Sequence, residues 1–68
     1  MEPISYMDGI GGAVRARRKQ LRVDQQTIAD LAGVSRKAVS DIERGKPTIR
    51  FDVLARVLTA VGLRIDVS

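Results

Sequence analysis

Residues 24–46 read "DQQTIADLAGVSRKAVSDIERGK", and two short helices with a tight turn between them account for every part of that stretch. Asp24 stands where an N-cap belongs, and "QQTIADLA" turns Ile28, Ala29, Leu31 and Ala32 inward before Gly33 stops it. Val34 leads to Ser35, a second N-cap, and the helix "RKAVSDIER" that follows is ended by Gly45 and Pro47. On this second helix Val39 and Ile42, with Ala38 beside them, make the apolar side. Arg36, Lys37, Ser40, Asp41 and Arg44 share the opposite side, the last four at spacings of one, four, five and eight from Arg36. That polar side holds no large apolar residue, so nothing requires it to be buried within the chain's own fold.

Working outward, the apolar positions Met7, Ile10, Val14 and Leu21 keep a helical spacing, with Asp8 as N-cap and the alkyl stem of Arg17 filling the gap in the stripe. Gly9, Gly11 and Gly12 weaken the start of this helix by up to ~1 kcal/mol each relative to Ala. On the other side, a helix is expected from Arg50 or Phe51 to Val61, with Asp52 in its positive first turn and Phe51, Leu54, Ala55, Leu58 and Val61 as the inner stripe. Gly62 closes it. The expected organisation is a flexible lead-in at residues 1–6, a helical domain over 7–62 and a distinct tail over 63–68. In that tail, Leu63-Arg64-Ile65-Asp66-Val67 alternates apolar and polar residues, the period of a half-buried β-strand.

At 68 residues the chain reads as one domain, marginal by itself, for which a partner is a natural source of stability. With no Cys and no His, disulfides, thiolate metal sites, cysteine nucleophiles and the commonest general base are all absent. "GIGGAV" offers Gly9 and Gly11, but a G-x-G-x-x-G pattern needs a third Gly where Val14 stands, and no strand precedes it. The chain is therefore expected not to be an enzyme and to carry no cofactor or metal. Apolar stretches are far shorter than the ~20 residues of a membrane span, and no targeting pattern opens the sequence, so a cytoplasmic protein with no membrane partner is expected. The net charge is +4, concentrated in Arg15, Arg17, Arg18, Lys19 and Arg22 and again in Arg36, Lys37, Arg44 and Lys46, which suits a polyanionic partner.

Two short helices joined through Gly33 and Val34 form the layout of a helix-turn-helix, in which the second helix enters the major groove and the first lies across the backbone. The sequence resembles the phage-repressor/Cro (Xre) helix-turn-helix family on Gln25, Ile28-Ala29, Gly33-Val34-Ser35, Val39-Ser40 and Glu43-Arg44-Gly45, and the match spans residues 10–62. It departs at Asp24, where the family often has Thr or Ser; Asp caps equally well but sets a negative charge near phosphates. The resemblance implies a mainly α, four-helix, lambda-repressor-like DNA-binding domain. It implies that Gln25 and the amides of that helix start touch phosphate, that Arg36, Lys37, Ser40 and Asp41 face base edges, and that Arg44 and Lys46 touch the backbone. Arg18 and Glu43 are implied as a partly buried ion pair. These roles agree with the affinity of helix N-termini for phosphate, of Arg or Lys for guanine, and of a carboxylate for cytosine N4. A guanine in each half-site is accordingly expected to face Arg36.

Each assignment has a plainer counterpart. Ser35 and Asp24 are first of all caps, each worth ~1 kcal/mol, and only then candidate ligands. Gln25 also suits an ordinary first turn, Arg36 and Lys37 suit a solvated surface, and Asp41 can simply pair with Lys37 one turn back. Arg15, Arg17, Lys19 and Arg22 are expected to be solvent-facing charge that steers association. At the level of the whole protein, the competing class is a protein-interaction module whose DNA contact is incidental.

Palindromic half-sites about one DNA turn (~34 Å) apart require a two-fold dimer, and the tail supplies a means of making one. Antiparallel pairing with a second copy, centred on Ile65, sets Leu63 opposite Val67 and Arg64 opposite Asp66 twice, each opposite-charge pair contributing ~0.2–1 kcal/mol. Centring on Arg64 or Asp66 sets like charges face to face, and a half-step slip sets apolar against polar. The expected dimerisation residues are thus Leu63, Arg64, Ile65, Asp66 and Val67, in one C-terminal β-strand pairing across a dimer. With this tail the sequence is most similar to HipB-like antitoxins. That resemblance implies a homodimeric repressor of its own operon, bound to a double-stranded DNA operator in the nucleoid, with a HipA-type Ser/Thr kinase toxin as protein partner.

Overall fold

The computed structural model describes residues 6–63, with side chains from Gly9 onward. Four helices follow one another along this stretch: α1 (Tyr6–Leu21), α2 (Gln25–Ala32), α3 (Arg36–Glu43) and α4 (Phe51–Ala60). No β-strand occurs among the described residues. Four of the five expected strand residues, Arg64, Ile65, Asp66 and Val67, lie outside them, as do residues 1–5 of the expected lead-in. Helix α1 starts at Tyr6, so Asp8 is its third residue and not its N-cap, a correction to the expected start.

Local chemistry sets the helix ends. Asp24 accepts from the backbone N–H and the hydroxyl of Thr27, both at 2.8 Å, and Ser35 Oγ accepts from the Ala38 N–H at 3.1 Å. The C-termini of α1, α3 and α4 close with the same paired backbone bonds. After α4, Gly62 N–H donates to Thr59 O and Leu63 N–H to Leu58 O; after α3, Gly45 donates to Ile42 O and Lys46 to Asp41 O. At α2, Val34 donates to Ala29 O. The left-handed residue these closures need is glycine at 33, 45 and 62, but Arg22 takes it after α1 with φ 59°. Leu63 therefore serves the end of α4 through its amide and packs, half-buried, against its own core.

That core joins all four helices: Val14 from α1, Ile28 and Ala29 from α2, Val39 and Ile42 from α3, and Leu54, Val57 and Leu58 from α4, with Val61 just beyond. Of the expected core residues, Ala38 and Ala55 are only half-buried and three larger ones are exposed. Leu31 is 69% exposed, because it lies about 110° around α2 from the centre of the arc made by Ile28, Ala29 and Ala32. Phe51, 61% exposed, is the first residue of α4 and falls outside the arc of Leu54, Val57, Leu58 and Val61, in which Val57 takes a place the expected stripe lacked. Leu21 is 42% exposed at the last residue of α1, where the inward positions are taken by guanidinium groups. Arg17, expected in solvent, donates its Nε–H to Val61 O at 2.9 Å and so satisfies a carbonyl at the end of α4.

Helix α1 lies directly on the end of α3. Gly11 is buried there, and a Cβ at this position would run into the Ile42 carbonyl oxygen and press on the Glu43 backbone. The same glycine that weakens α1 as a helix is what lets α1 reach α3. None of the described helices is long and apolar enough to cross a membrane.

Candidate nucleic-acid interface

The turn between α2 and α3 is short because Gly33 adopts φ 69° and Val34 anchors it on the core, so α3 starts at Arg36 directly after its cap, Ser35. With Val39 and Ile42 pinned in the core, the opposite side of α3 is directed outward. Arg36, Lys37 and Arg44 are exposed, as is Lys46 just beyond, and Ser40 is half-buried among them. A shallow depression is lined by Gln25, Arg36, Lys37 and Ser40. A second one, sharing Gln25 and Arg36, runs over Arg18, Asp24 and Gln26. The start of α2 and the outward side of α3 thus form one continuous polar surface.

Behind that surface, Glu43 ties three helices together. Arg18 on α1 donates from Nε at 2.7 Å and from Nη2 at 2.9 Å to its two carboxylate oxygens, and Gln25 on α2 donates from Nε2 at 3.3 Å. The Arg18 fork also reaches Val23 O at 3.0 Å, which fixes the chain between α1 and α2. Burial pushes the Glu43 carboxyl up, but the bonds from Arg18 and Gln25 outweigh it and hold it below its ordinary value. The expected Arg18–Glu43 pair is present, with the Glu43 side chain only 4% exposed. The side chain of Gln25 faces this pair.

Asp41 occupies a different place from the one expected. Its side chain is 6% exposed, beneath the polar surface and not on it. Lys37 Nζ lies 2.8 Å and Lys46 Nζ 3.6 Å from Oδ2, and Arg44 Nη2 lies 2.5 Å from Oδ1. Both oxygens face cations of the protein itself, Lys37 and Arg44 by hydrogen bonds. The bond from Lys37, then that from Arg44, pulls its carboxyl down to about 2 from an ordinary 3.8. The plainer pairing with Lys37 is what the structure shows, joined by Arg44 at the other helical spacing and by Lys46, which helical spacing alone does not bring there.

Arg36 has no carboxylate within ion-pairing distance among the described residues. It is still close enough to Asp24 to help lower that carboxyl, whose main causes are the two bonds from Thr27. Ser35 spends its acceptor on the Ala38 amide and keeps its hydroxyl proton. One basic residue of this edge escaped the sequence reading. Arg50 lines a depression together with Lys37, Asp41 and Lys46 and pairs with Asp52 at 3.2 Å. The signal was present in "RGKPTIR", where it is the third basic residue. Of the α1 charge run, Arg15, Lys19 and Arg22 are exposed as expected, whereas Arg17 and Arg18 are spent on internal bonds.

The model of a helix-turn-helix family matches residues 14–67. The chain is 38% identical over 58 residues to an uncharacterised HTH-type transcriptional regulator of Sinorhizobium fredii, an alignment covering 85% of this chain and 76% of that protein. It is 36% identical over 64 residues to an uncharacterised transcriptional regulator in the ATPase CF(0) region of Rhodospirillum rubrum, covering 93% of this chain and 59% of that protein.

Proposed function

The chain belongs to the helix-turn-helix family, and on that premise we propose that it is a DNA-binding transcriptional regulator acting as a dimeric, sequence-specific repressor of its own operon. The observation that carries this reading is the outward side of α3. Arg36 and Lys37 stand exposed at its first turn, Ser40 one turn on, and Arg44 and Lys46 flank them, while Val39 and Ile42 fix the helix in the core. Such a side matches the chemistry of the major groove, with Arg36 and Lys37 donating to guanine O6 and N7 and the start of α2 donating to phosphate. The protein acts by binding alone, without catalysis or a cofactor, within the nucleoid of the cytoplasm.

The dimer is supported by the alternation of Leu63 to Val67 and by the single register that satisfies both its charges and its apolar positions. Similarity of that tail to HipB-like antitoxins supports the finer reading that the protein neutralises a HipA-type kinase toxin.

The test is a salt titration of binding to the duplex upstream of its own gene, beside a shuffled duplex of equal length. Nanomolar affinity with at least ~1000-fold preference for the native duplex at physiological salt is expected of a specific autorepressor. Equal, steeply salt-dependent binding to both would reject this operator. Absence of binding to either would reject DNA as the partner and favour a protein-interaction module. Arg36→Ala is expected to lose about 1–3 kcal/mol on the preferred duplex and almost nothing on the shuffled one.

A further inference from the structure

Asp41 is unusual in its position: a carboxylate buried under three cations in the middle of a surface read as DNA-binding. Lys37, Arg44 and Lys46 converge on its two oxygens from 2.5 to 3.6 Å, yet their own side chains are between 46% and 74% exposed. The anion is hidden and the cations are not. A duplex approaching this surface meets a fixed group of three positive side chains whose total charge has been reduced by one.

We propose that Asp41 is an internal counter-anion that sets the discrimination of the DNA-binding surface. It has two effects, both following from its place. By holding Lys37, Arg44 and Lys46 around one point, it positions them before DNA arrives, so that fewer rotamers remain to be ordered on binding. By cancelling one of their charges, it weakens attraction to every phosphate backbone alike, because that attraction scales with the number of phosphates neutralised and carries no sequence information. Contacts made by Arg36, which forms no ion pair with a carboxylate among the described residues, then form a larger share of the total. Specificity is a difference of affinities, and Asp41 acts on it by lowering the affinity for the wrong sites.

This inference rests on the DNA-binding reading, and the test separates the two. A preferred duplex is first selected from a random pool with the full wild-type chain. Affinities for the selected duplex and for a random duplex are then measured against sodium chloride concentration for wild type and Asp41→Asn, with helicity followed by circular dichroism. Asp41→Asn is expected to steepen the salt dependence on the random duplex by about 0.9 in log–log slope, which is roughly an eightfold tighter random binding at 0.1 M salt. Affinity for the selected duplex is expected to rise less, so the preference falls. A simple packing role would leave the slope unchanged, and an unchanged slope in a folded variant overturns the proposal. The same comparison is made in a Lys37→Gln background, where one like charge is gone and a neutral residue at 41 is more easily tolerated. The same gain in slope is expected there, and loss of fold in both backgrounds would assign Asp41 to structure and overturn the proposal as well. If the wild-type chain binds no duplex at any salt, the DNA-binding reading fails first and takes this inference with it.

Discussion

Gly11 fixes how closely α1 approaches α3, since even a methyl group there would meet the Ile42 carbonyl oxygen and the Glu43 backbone. The atoms in the way are backbone, which cannot rotate aside. Gly11→Ala is therefore expected to destabilise the domain by about 1–3 kcal/mol despite the higher helix propensity of alanine, read from chemical unfolding midpoints. Gly12→Ala, with open space around its Cβ, is the matched control and is expected to be neutral or stabilising. Arg22 presents the reverse situation. It holds a left-handed conformation at φ 59° that glycine holds at 33, 45 and 62, and it is exposed. Arg22→Gly relieves that conformation but adds freedom to the unfolded chain, so a net stabilisation of about 0.5–1 kcal/mol is expected. Asp41 adds a pH dependence whose sign follows from its lowered carboxyl. The stability it contributes is fully present above its ordinary value of 3.8 and is lost as the pH falls through about 2. Unfolding midpoints measured between pH 4 and pH 2 should fall less steeply in Asp41→Asn than in wild type. Asp24 and Glu43 are lowered as well and keep a residual slope of the same sign.

Between elements, the Arg18–Glu43 fork determines how α3 is presented, because Glu43 is the last residue of α3 and receives bonds from both α1 and α2. Arg18→Met keeps the alkyl stem and removes the charge, leaving a carboxylate with little solvent and only Gln25 as partner. A destabilisation of about 2–4 kcal/mol is expected, somewhat below the full effect of breaking a buried pair because Arg18 retains some contact with water. Combining it with Glu43→Gln should recover part of the loss, and thermal unfolding of the four proteins in that cycle measures the coupling. The elements themselves were legible in the sequence for a local reason. Asp24, Ser35, Gly33, Gly45 and Gly62 act within one turn of chain, so the bounds of α2, α3 and α4 follow from capping chemistry and hydrophobic period alone. What was not legible depends on where helices meet. Leu31 lies three residues from Ile28 but falls at the open rim of a depression between α2 and α4; Arg17 finds Val61 O only once α1 lies beside the end of α4; and Asp41 gathers Lys46 only because the closure after Gly45 turns the chain back. The Arg18–Glu43 pair crosses 25 residues and was reached by family resemblance, not by spacing.

For the whole molecule, the decisive question is whether two copies present two α3 helices to one duplex. The described domain closes the C-terminus of α4 without a partner, since Leu63 N–H caps it and the Leu63 side chain packs against its own core. A chain ending after Leu63 is therefore expected to stay folded, whereas ending after Gly62 would remove a cap as well as the tail. If Arg64 to Val67 pair across a two-fold axis, the Leu63-ended chain should sediment as a monomer and should bind a duplex with two half-sites without cooperativity. Charge exchange provides the sharper measurement. In the register centred on Ile65, Arg64→Asp alone replaces two attractive pairs with two repulsive ones, an expected loss of about 1–4 kcal/mol per dimer. Asp66→Arg alone does the same with the opposite sign. Both changes together restore two opposite-charge pairs, so the dimer dissociation constant from sedimentation equilibrium should return close to that of wild type. Each effect should shrink at high salt, as exposed pairs do. Recovery in the double variant would fix the register as well as the dimer, because neither centring on Arg64 nor centring on Asp66 brings these two residues opposite each other. Equal dissociation constants in all four chains would remove the tail from the interface and leave the two-fold axis to be sought elsewhere.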